Sequence, residues 1–260
     1  MTSQEKIQKL RELLIQRGDI PGLSYFIDYR ESRNAELFRF LTRNIPMQDL
    51  KKKRVLDVGC GTGAFLEHLQ DKGLDAIGID VDKEKLRVGF GRDTCVCDAS
   101  HLPFRDSTFD FVISIDAIEH IPNQGTAITN MLSKLKTNGE ILVLTNNRLF
   151  PFDSDTKLFF VNYMPKYLAD RYLRLRKKKS DIEYDIKYPT YATFPRLIKK
   201  NKDSKTKVIG IFTIFGLYVE EYKQLKILAA FVENTIRRWK VLGFLQLFAP
   251  KLALRIKKMQ

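Results

Sequence analysis

Short apolar stretches with the character of buried strands alternate with stretches of helical periodicity through the middle of the chain. The strand-like stretches lie at residues 55–58, 76–80, 94–98, 110–115 and 140–145. The helical stretches between them lie near residues 65–73, 82–90 and 125–136. Strands that are apolar along their length and separated by helices form a parallel sheet covered on both faces. The alternation therefore predicts a doubly wound α/β fold.

The chain before and after this core differs from it in pattern. Helical spacing at residues 4–17 and 33–41 predicts leading helices, so residues 1–50 are taken as an N-terminal helical segment and residues 51–147 as the core. After the core the periodicity is lost for about forty residues, and such a stretch is commonly a lid or binding insertion. Residues 148–191 are therefore predicted to form a substrate cap.

Residues 192–260 are predicted to complete the same domain. Their pattern indicates four elements: a short helix near 194–200, a strand within 207–213, an amphipathic helix near 221–240 and a final strand at 252–256. The apolar face of the third element has the spacing needed to cover a sheet.

Cysteine usage and hydropathy favour a cytoplasmic protein. The cysteines, Cys60, Cys95 and Cys97, are too few and too badly spaced for a disulfide framework, and no pair of C-x-x-C elements is present to hold zinc. The first residues are charged throughout, unlike a signal peptide, and the longest apolar run, at 208–219, is shorter than a bilayer span. We expect no metal, no secretion signal and no transmembrane helix.

The basic charge is concentrated in the second half of the chain. Residues 1–147 hold 20 Lys and Arg against 21 Asp and Glu, whereas residues 148–260 hold 25 against 10. Such an excess attracts anionic partners, including phosphorylated small molecules, anionic lipid surfaces and nucleic acid. Charge alone does not choose among them.

A glycine-rich turn follows the first predicted strand. Residues 55–63 read VLDVGCGTG, and Gly59, Gly61 and Gly63 lie where that strand turns into a helix. Glycines allow positive φ angles and close approach of a ligand to the backbone. Gly59, Gly61 and Ala64 also fit the G-x-G-x-x-A pattern of a dinucleotide site. However, an acid such as Asp57 repels a pyrophosphate and attracts a cation.

The string VLDVGCGTG closely resembles motif I of the class I S-adenosylmethionine-dependent methyltransferases, of the small-molecule type. The resemblance implies S-adenosyl-L-methionine as cofactor, bound at Asp57 and the three glycines. It implies that Asp80, at the end of the second strand, accepts hydrogen bonds from both ribose hydroxyls, with Val81 beside it in the same site. Asp82, directly before a helix, is instead expected to be a helix N-cap.

Two further stretches resemble motifs of the same family. In CDASHLPF, the resemblance implies that Asp98 reaches the adenine amino group and that Ala99 offers a backbone amide. In DSTFDFVISIDAIEHI, it implies that Ile115 lines the cofactor site. The likeness is strong over residues 55–147 and weaker to the end. It implies a Rossmann-like seven-stranded sheet in the order 3-2-1-4-5-7-6, mostly parallel with an antiparallel last strand.

Two places in the sequence offer candidates for a general base. His120 ends the fourth-strand motif and can accept a proton near neutral pH, although in the resembled motif the Glu-His pair is often structural or part of a cofactor lid. Asp153, or its neighbour Asp155, is the second candidate, and Arg148 and Tyr163 are candidates for contact with substrate. A solvated loop is the alternative for all four cap residues.

Several acceptor classes, and two functions other than methyl transfer, stay open. The aromatic and basic cap favours an anionic small-molecule or glycan/lipid-intermediate acceptor with an O or N nucleophile. An RNA methyltransferase that uses the basic half is an alternative, although the chain reads SIDAI where methyltransferases of bases carry Asn/Asp-Pro-Pro-Tyr. A NAD-dependent oxidoreductase and a non-catalytic binding protein are further alternatives. The basic tail at 218–258 suggests peripheral membrane contact, with core packing as its alternative.

Overall fold

A seven-stranded sheet forms the centre of the molecule in a computed structural model that describes residues 3–17, 30–42, 47–153, 156, 158–176, 187–199, 206–214 and 251–259. The strands of this sheet are β1 (Arg54–Val58), β2 (Asp75–Asp80), β3 (Thr94–Val96), β4 (Phe109–Ile115), β5 (Leu135–Asn146), β8 (Thr206–Ile214) and β9 (Lys251–Lys258). A separate hairpin consists of β6 (Phe152–Asp153) and β7 (Leu158–Phe159).

Eight α-helices surround the sheet or lie beside it among the described residues. They are α1 (Ser3–Arg17), α2 (Arg30–Thr42), α3 (Met47–Leu50), α4 (Ala64–Asp71), α5 (Lys83–Val88), α6 (Gln124–Lys134), α7 (Lys166–Leu175) and α8 (Phe194–Lys199). Single 3₁₀ turns occupy Ile118–His120 and Val161–Tyr163. No helix in these ranges has both the length and the apolar character required to cross a bilayer.

The strand order is β3-β2-β1-β4-β5-β9-β8, which confirms the predicted topology. The five strands β1 to β5 run parallel to one another, and β9 is antiparallel to both of its neighbours, β5 and β8. In the β5–β9 register Asn146 lies opposite Lys251, so the start of β9 meets the carboxyl ends of the parallel strands. Ligand sites of open α/β sheets form at that edge.

Apolar side chains cover both faces of the sheet, as the continuous apolar strands predicted. One cluster packs Leu56, Val112 and Val143 against Met131 of α6 and Phe194 of α8. The cluster on the other face packs strand residues against helices α2 and α4, including Val55, Ile113, Leu37, Phe65 and Leu66. The residues of both clusters alternate along each strand, because successive side chains point to opposite faces.

Helix α6 is shorter than the sequence predicts. We expected it to continue to Lys136, but it ends at Lys134 and the chain enters β5 at Leu135. Leu135 is buried and pairs with Phe109 of β4, ahead of a bulge in the β4–β5 ladder. Burial of Leu135 against the sheet therefore outweighs the helical periodicity of the sequence.

The predicted cap contains regular structure, although we expected an aperiodic segment there. The β6–β7 hairpin is followed by a 3₁₀ turn and by helix α7, whose Ala169 and Leu173 pack on Leu158 and Val161. The cap returns to its start, since the Arg148 amide donates to the Pro189 carbonyl at 3.1 Å. The predicted helix near 221–240 and most of the basic tail lie outside the described residues, as does Asp155.

Candidate active site

The glycine-rich turn after β1 adopts left-handed backbone conformations. Gly59, Gly61 and Gly63 have φ angles of 77°, 56° and 69°. The amides of Gly59 and Cys60 both donate to the Ile79 carbonyl, at 2.8 and 2.9 Å, which holds the turn against the end of β2. The sequence correctly predicted a strand-to-helix turn here, because α4 begins directly after Gly63.

Close packing explains two of these glycines, and open space surrounds the third. A Cβ on Gly59 would lie 2.3 Å from the Cβ of Ala117, and one on Gly63 would lie 2.7 Å from the Gly91 amide nitrogen. A Cβ on Gly61 would meet no atom within 4 Å. The turn is therefore packed on both sides and open at its tip, which suits close approach of a ligand to the backbone.

Asp80 is fixed against the glycine turn. Its Oδ2 accepts a hydrogen bond from the Gly61 amide at 2.8 Å, and its Oδ1 accepts one from the Asp82 amide at 2.8 Å. Each carboxylate oxygen has a second lone pair, so the group keeps acceptor capacity. Asp82 is the N-cap of α5 and accepts from the amides of Glu84 and Lys85, as the sequence predicted.

Asp57 is a buried carboxyl group at the fourth position of β1. Only 3% of its surface is exposed. Burial, and then the charge of Asp80, raise the pKa of Asp57 from 3.8 to about 7, and the positive charge of Arg33 partly opposes this rise. Ionisation of Asp57 is therefore costly in the folded protein alone. A cation beside it would favour the ionised form.

A partly buried ion cluster that sequence reasoning missed lies at the same edge. The Asp116 carboxylate accepts from Arg33 Nη2 at 3.2 Å and from Lys251 Nζ at 2.7 Å. Arg33 belongs to α2, Asp116 follows β4 and Lys251 begins β9, so three distant parts of the chain meet here. The side chain of Lys251 is 4% exposed.

The two cations determine the protonation state of Asp116. Burial alone raises the pKa of this carboxyl, but the charges and hydrogen bonds of Lys251 and Arg33 outweigh burial and hold the pKa below its ordinary value. Asp116 also has a φ of 51°, which is uncommon for a residue other than glycine. The surrounding contacts therefore favour both the ionised form of Asp116 and its backbone conformation.

Helix α2 is also attached to the glycine turn. Next to Arg33, the buried Asn34 donates its side-chain amide to the Ala64 carbonyl at 2.8 Å. Since Ala64 is the first residue of α4, this bond fixes α2 beside the turn. The contacts of Arg33 and Asn34 were not predicted, because their partners lie far away in the sequence.

The remaining predicted cofactor residues follow β2, β3 and β4. Val81 is 69% exposed directly after Asp80, and Asp98 is exposed, with its Oδ1 accepting from the Ser100 amide at 2.7 Å. Ala99 is buried in the cluster that contains α6, whereas Ile115 packs towards α2 and α4. Their roles stay predictions.

The two predicted bases lie in different surroundings. His120 is exposed at the end of the 3₁₀ turn that follows β4. Ala117, directly before this turn, packs against Gly59. Asp153 is buried, and its carboxylate accepts from the Thr156 amide, from Thr156 Oγ1 at 2.6 Å and from the Tyr188 hydroxyl at 2.9 Å. These contacts show that Asp153 connects the two ends of the cap. A catalytic role for either residue stays a prediction.

The residues at this edge suit S-adenosylmethionine better than a dinucleotide. A buried carboxyl with a raised pKa disfavours a pyrophosphate and accepts a cationic group. The open tip at Gly61 and the fixed carboxylate of Asp80 leave backbone and acceptor groups for a nucleoside. The guanidinium of Arg33 has five N–H donors, so it can donate to a ligand carboxylate as well as to Asp116. The donor set is therefore complementary to a zwitterionic amino acid joined to a nucleoside.

Comparison with known proteins identifies a family. The profile described as a methyltransferase domain matches residues 29–184, which is more than half of the chain. A ubiquinone biosynthesis O-methyltransferase of Photobacterium profundum is 32% identical over 105 residues, covering 37% of this chain and 45% of that protein. A norajmaline N-methyltransferase of Rauvolfia serpentina is 30% identical over 106 residues, covering 36% of each.

Solved structures show the same fold. A SAM-dependent methyltransferase from Archaeoglobus fulgidus aligns with a TM-score of 0.53 and 21% identity, over 88% of this chain and 94% of that one. A phosphoethanolamine N-methyltransferase from Haemonchus contortus, in complex with phosphomonomethylethanolamine and S-adenosylhomocysteine, aligns with a TM-score of 0.56 and 19% identity, over 86% and 52%. The chain spans less than half the length of the curated relatives described above.

Proposed function

The chain belongs to the methyltransferase domain family, and we propose that it transfers a methyl group from S-adenosylmethionine to an O or N nucleophile of a small molecule. The observation that carries this proposal is the buried Asp57, whose pKa is raised to about 7 beside an open glycine turn. When bound, the cofactor supplies an electrophilic methyl group on a positively charged sulfur. The protein's part is to align the acceptor and exclude water.

The proposed binding roles follow from charge and hydrogen-bonding capacity. Asp57 attracts the cationic amino acid portion of the cofactor, and Asp80 accepts from the ribose hydroxyls while the Gly61 and Asp82 amides hold it in place. Asp98 and the Ala99 amide bind adenine, and the apolar side chains of Val81 and Ile115 line the site. The backbone of Gly59, Gly61 and Gly63 allows close approach.

We further propose that the acceptor is anionic, as a phosphorylated glycan or lipid intermediate would be, and that it binds between the cap and the cofactor. The cap supports this position, because its last residues are attached at the carboxyl edge: the Lys187 amide donates to the Glu119 carbonyl at 2.9 Å. Arg148 and Lys187 place positive charge at the base of the cap. His120 adjoins this site and is the proposed base if the acceptor arrives protonated.

The proposal is tested by incubating the protein with methyl-labelled cofactor and fractionated cell extract. We expect label in a small-molecule or lipid fraction, and loss of that label when Asp57 and Asp80 are both changed to alanine. Asp75→Ala is the matched control, because Asp75 is an exposed carboxylate at the opposite end of β2. Label confined to RNA would overturn the acceptor class, and binding without any transfer would overturn catalysis.

Arg33→Met is expected to weaken binding of S-adenosylhomocysteine by about tenfold to a hundredfold, because a charge-assisted hydrogen bond contributes roughly 1.5–3 kcal/mol. Methylthioadenosine, which lacks the amino acid portion, should bind both proteins equally. Calorimetry with the two ligands measures the difference. Arg39→Met, at an exposed position of the same helix, is the control. Equal weakening of both ligands would show that Arg33 acts only on the fold.

A further inference from the structure

The cap carries large apolar side chains that point into solvent. Among the described residues, most of the exposed large apolar side chains lie between 159 and 191. We define the cap face as the six that lie close together in sequence: Phe159, Phe160, Tyr163, Tyr167, Leu168 and Leu175. Tyr167 and Leu175 are 71% and 74% exposed. Exposed apolar groups this concentrated usually mark an interaction surface.

The cap already has a core of its own. Leu158, Val161, Ala169 and Leu173 are buried together, with Met164 and Tyr172 packed against them. The outward residues Tyr167, Arg171 and Leu175 are spaced by four along α7 and so share one side of the helix. That side is opposite the buried Ala169 and Leu173. The cap face is therefore additional to the residues that fold the cap.

Aromatic rings form the other part of the cap face. The rings of Phe159 and Phe160 lie 6.1 Å apart between centroids, and those of Phe160 and Tyr163 lie 6.2 Å apart. Phe160 has a φ of 62°, an unfavourable conformation for a bulky residue, and the residue is 56% exposed. The connection between β7 and the 3₁₀ turn therefore holds an apolar residue in water at a conformational cost.

Positive charge surrounds these apolar groups. Lys166, Arg171, Arg174 and Arg176 are all exposed, and none forms an ion pair within the described part of the chain. Asp170 is the sole acidic residue between 158 and 176 in the sequence. Exposed cations beside exposed tyrosine, phenylalanine and leucine side chains match the chemistry of an anionic bilayer surface, where headgroups bind the cations and the interface receives the rings.

We infer that the cap face is a docking surface for an anionic lipid bilayer. RNA would also attract the arginines, but single-stranded RNA is bound by separate rings with free faces for stacking. Here the rings pack on one another, and the aliphatic Leu168 and Leu175 lie beside them. The inference goes beyond the proposed transfer reaction and does not depend on which acceptor is methylated.

Co-sedimentation of the full chain with vesicles tests the inference. We expect binding to vesicles of equal phosphatidylcholine and phosphatidylglycerol, and little binding to phosphatidylcholine alone. Arg171→Gln with Arg174→Gln should reduce the binding roughly tenfold or more, since each basic residue near the surface contributes about 1 kcal/mol. Phe160→Ser with Leu175→Ser should reduce it at least fivefold.

Matched controls change exposed residues outside the cap. Arg87→Gln with Arg92→Gln removes two surface cations, and Ile15→Ser with Val208→Ser removes two exposed apolar side chains. Each control pair should change vesicle binding less than twofold. All variants should still bind S-adenosylhomocysteine, which separates failure of docking from failure of the proposed function.

Four results would overturn the inference. The first is that the protein does not bind anionic vesicles, and the second is that the cap variants and the control variants lose binding equally. The third is that the protein prefers RNA, with salt-sensitive binding that the cap variants abolish. The fourth is a dimer in sedimentation analysis that the Phe160 and Leu175 changes convert to monomer. The last two results would assign the cap face to RNA or to a second copy of the chain.

Discussion

Asp57→Asn is expected to stabilise the cofactor-free protein by up to about 4 kcal/mol above pH 7, because about three pKa units separate the folded and unfolded carboxyl. The raised pKa means that the folded state binds more protons than the unfolded state between pH 4 and pH 7. Stability therefore falls as pH rises through this window, and asparagine removes that fall. Urea unfolding at pH 5 and pH 8 measures the effect.

The same change should weaken S-adenosylhomocysteine binding by about tenfold to a hundredfold, since the asparagine amide has no charge for the ligand's ammonium group. Asp75→Asn is the matched control for stability, because Asp75 is exposed and pairs with Arg54 at the surface. It should change unfolding by less than about 1 kcal/mol. A pH-independent effect of Asp57→Asn would contradict the assigned titration.

Asp116→Ala is expected to destabilise the protein by about 3–5 kcal/mol, because it removes the carboxylate that forms an ion pair with the buried ammonium group of Lys251. Asp110 offers a matched comparison at the opposite end of the same strand. Like Asp116, it pairs with two cations, but these are Lys53 and Lys136, whose side chains are 41% and 45% exposed. Asp110→Ala should therefore cost clearly less than Asp116→Ala in urea unfolding.

Combining Asp116→Leu with Lys251→Met should recover much of that loss, since the buried Lys251 charge is then removed together with the carboxylate. Arg33, whose side chain is 16% exposed, is the one cation of the cluster that remains. Equal destabilisation by Asp116→Ala and Asp110→Ala would show that burial of Lys251 does not control the energetics of the cluster. Full loss in the combined variant would indicate that Asp116 acts through its backbone conformation instead.

The sheet was predictable because its signals are local. The strands β1 to β5 are apolar along their length, and glycine or aspartate follows several of them, so each is recognised from a few adjacent residues. Asp82 was likewise predictable, since an N-cap bonds to amides two and three residues ahead. The order of the strands, including the antiparallel β9, followed from the resemblance.

The ion cluster was not predictable for the opposite reason. Asp116 bonds to residues 83 positions before it and 135 positions after it, and no sequence pattern specifies such pairs. Asp153 shows the same limit: one of its partners is Thr156 nearby, but the other is Tyr188, 35 residues on. Helix α7 of the cap was overlooked although its pattern is local, since its buried Ala169 and Leu173 lie on one side and the exposed Arg171 lies on the opposite side.

Strand β9 lies between β5 and β8 in the sheet, although β8 comes earlier in the chain. On the ribosome, β8 therefore emerges before the strand on which it pairs, and it has no place in the sheet until residues 251–258 are synthesised. Lys251 reaches Asp116 at the same moment. A polypeptide cut just before residue 251 would consequently lose two strands from its sheet and one cation from the cofactor edge.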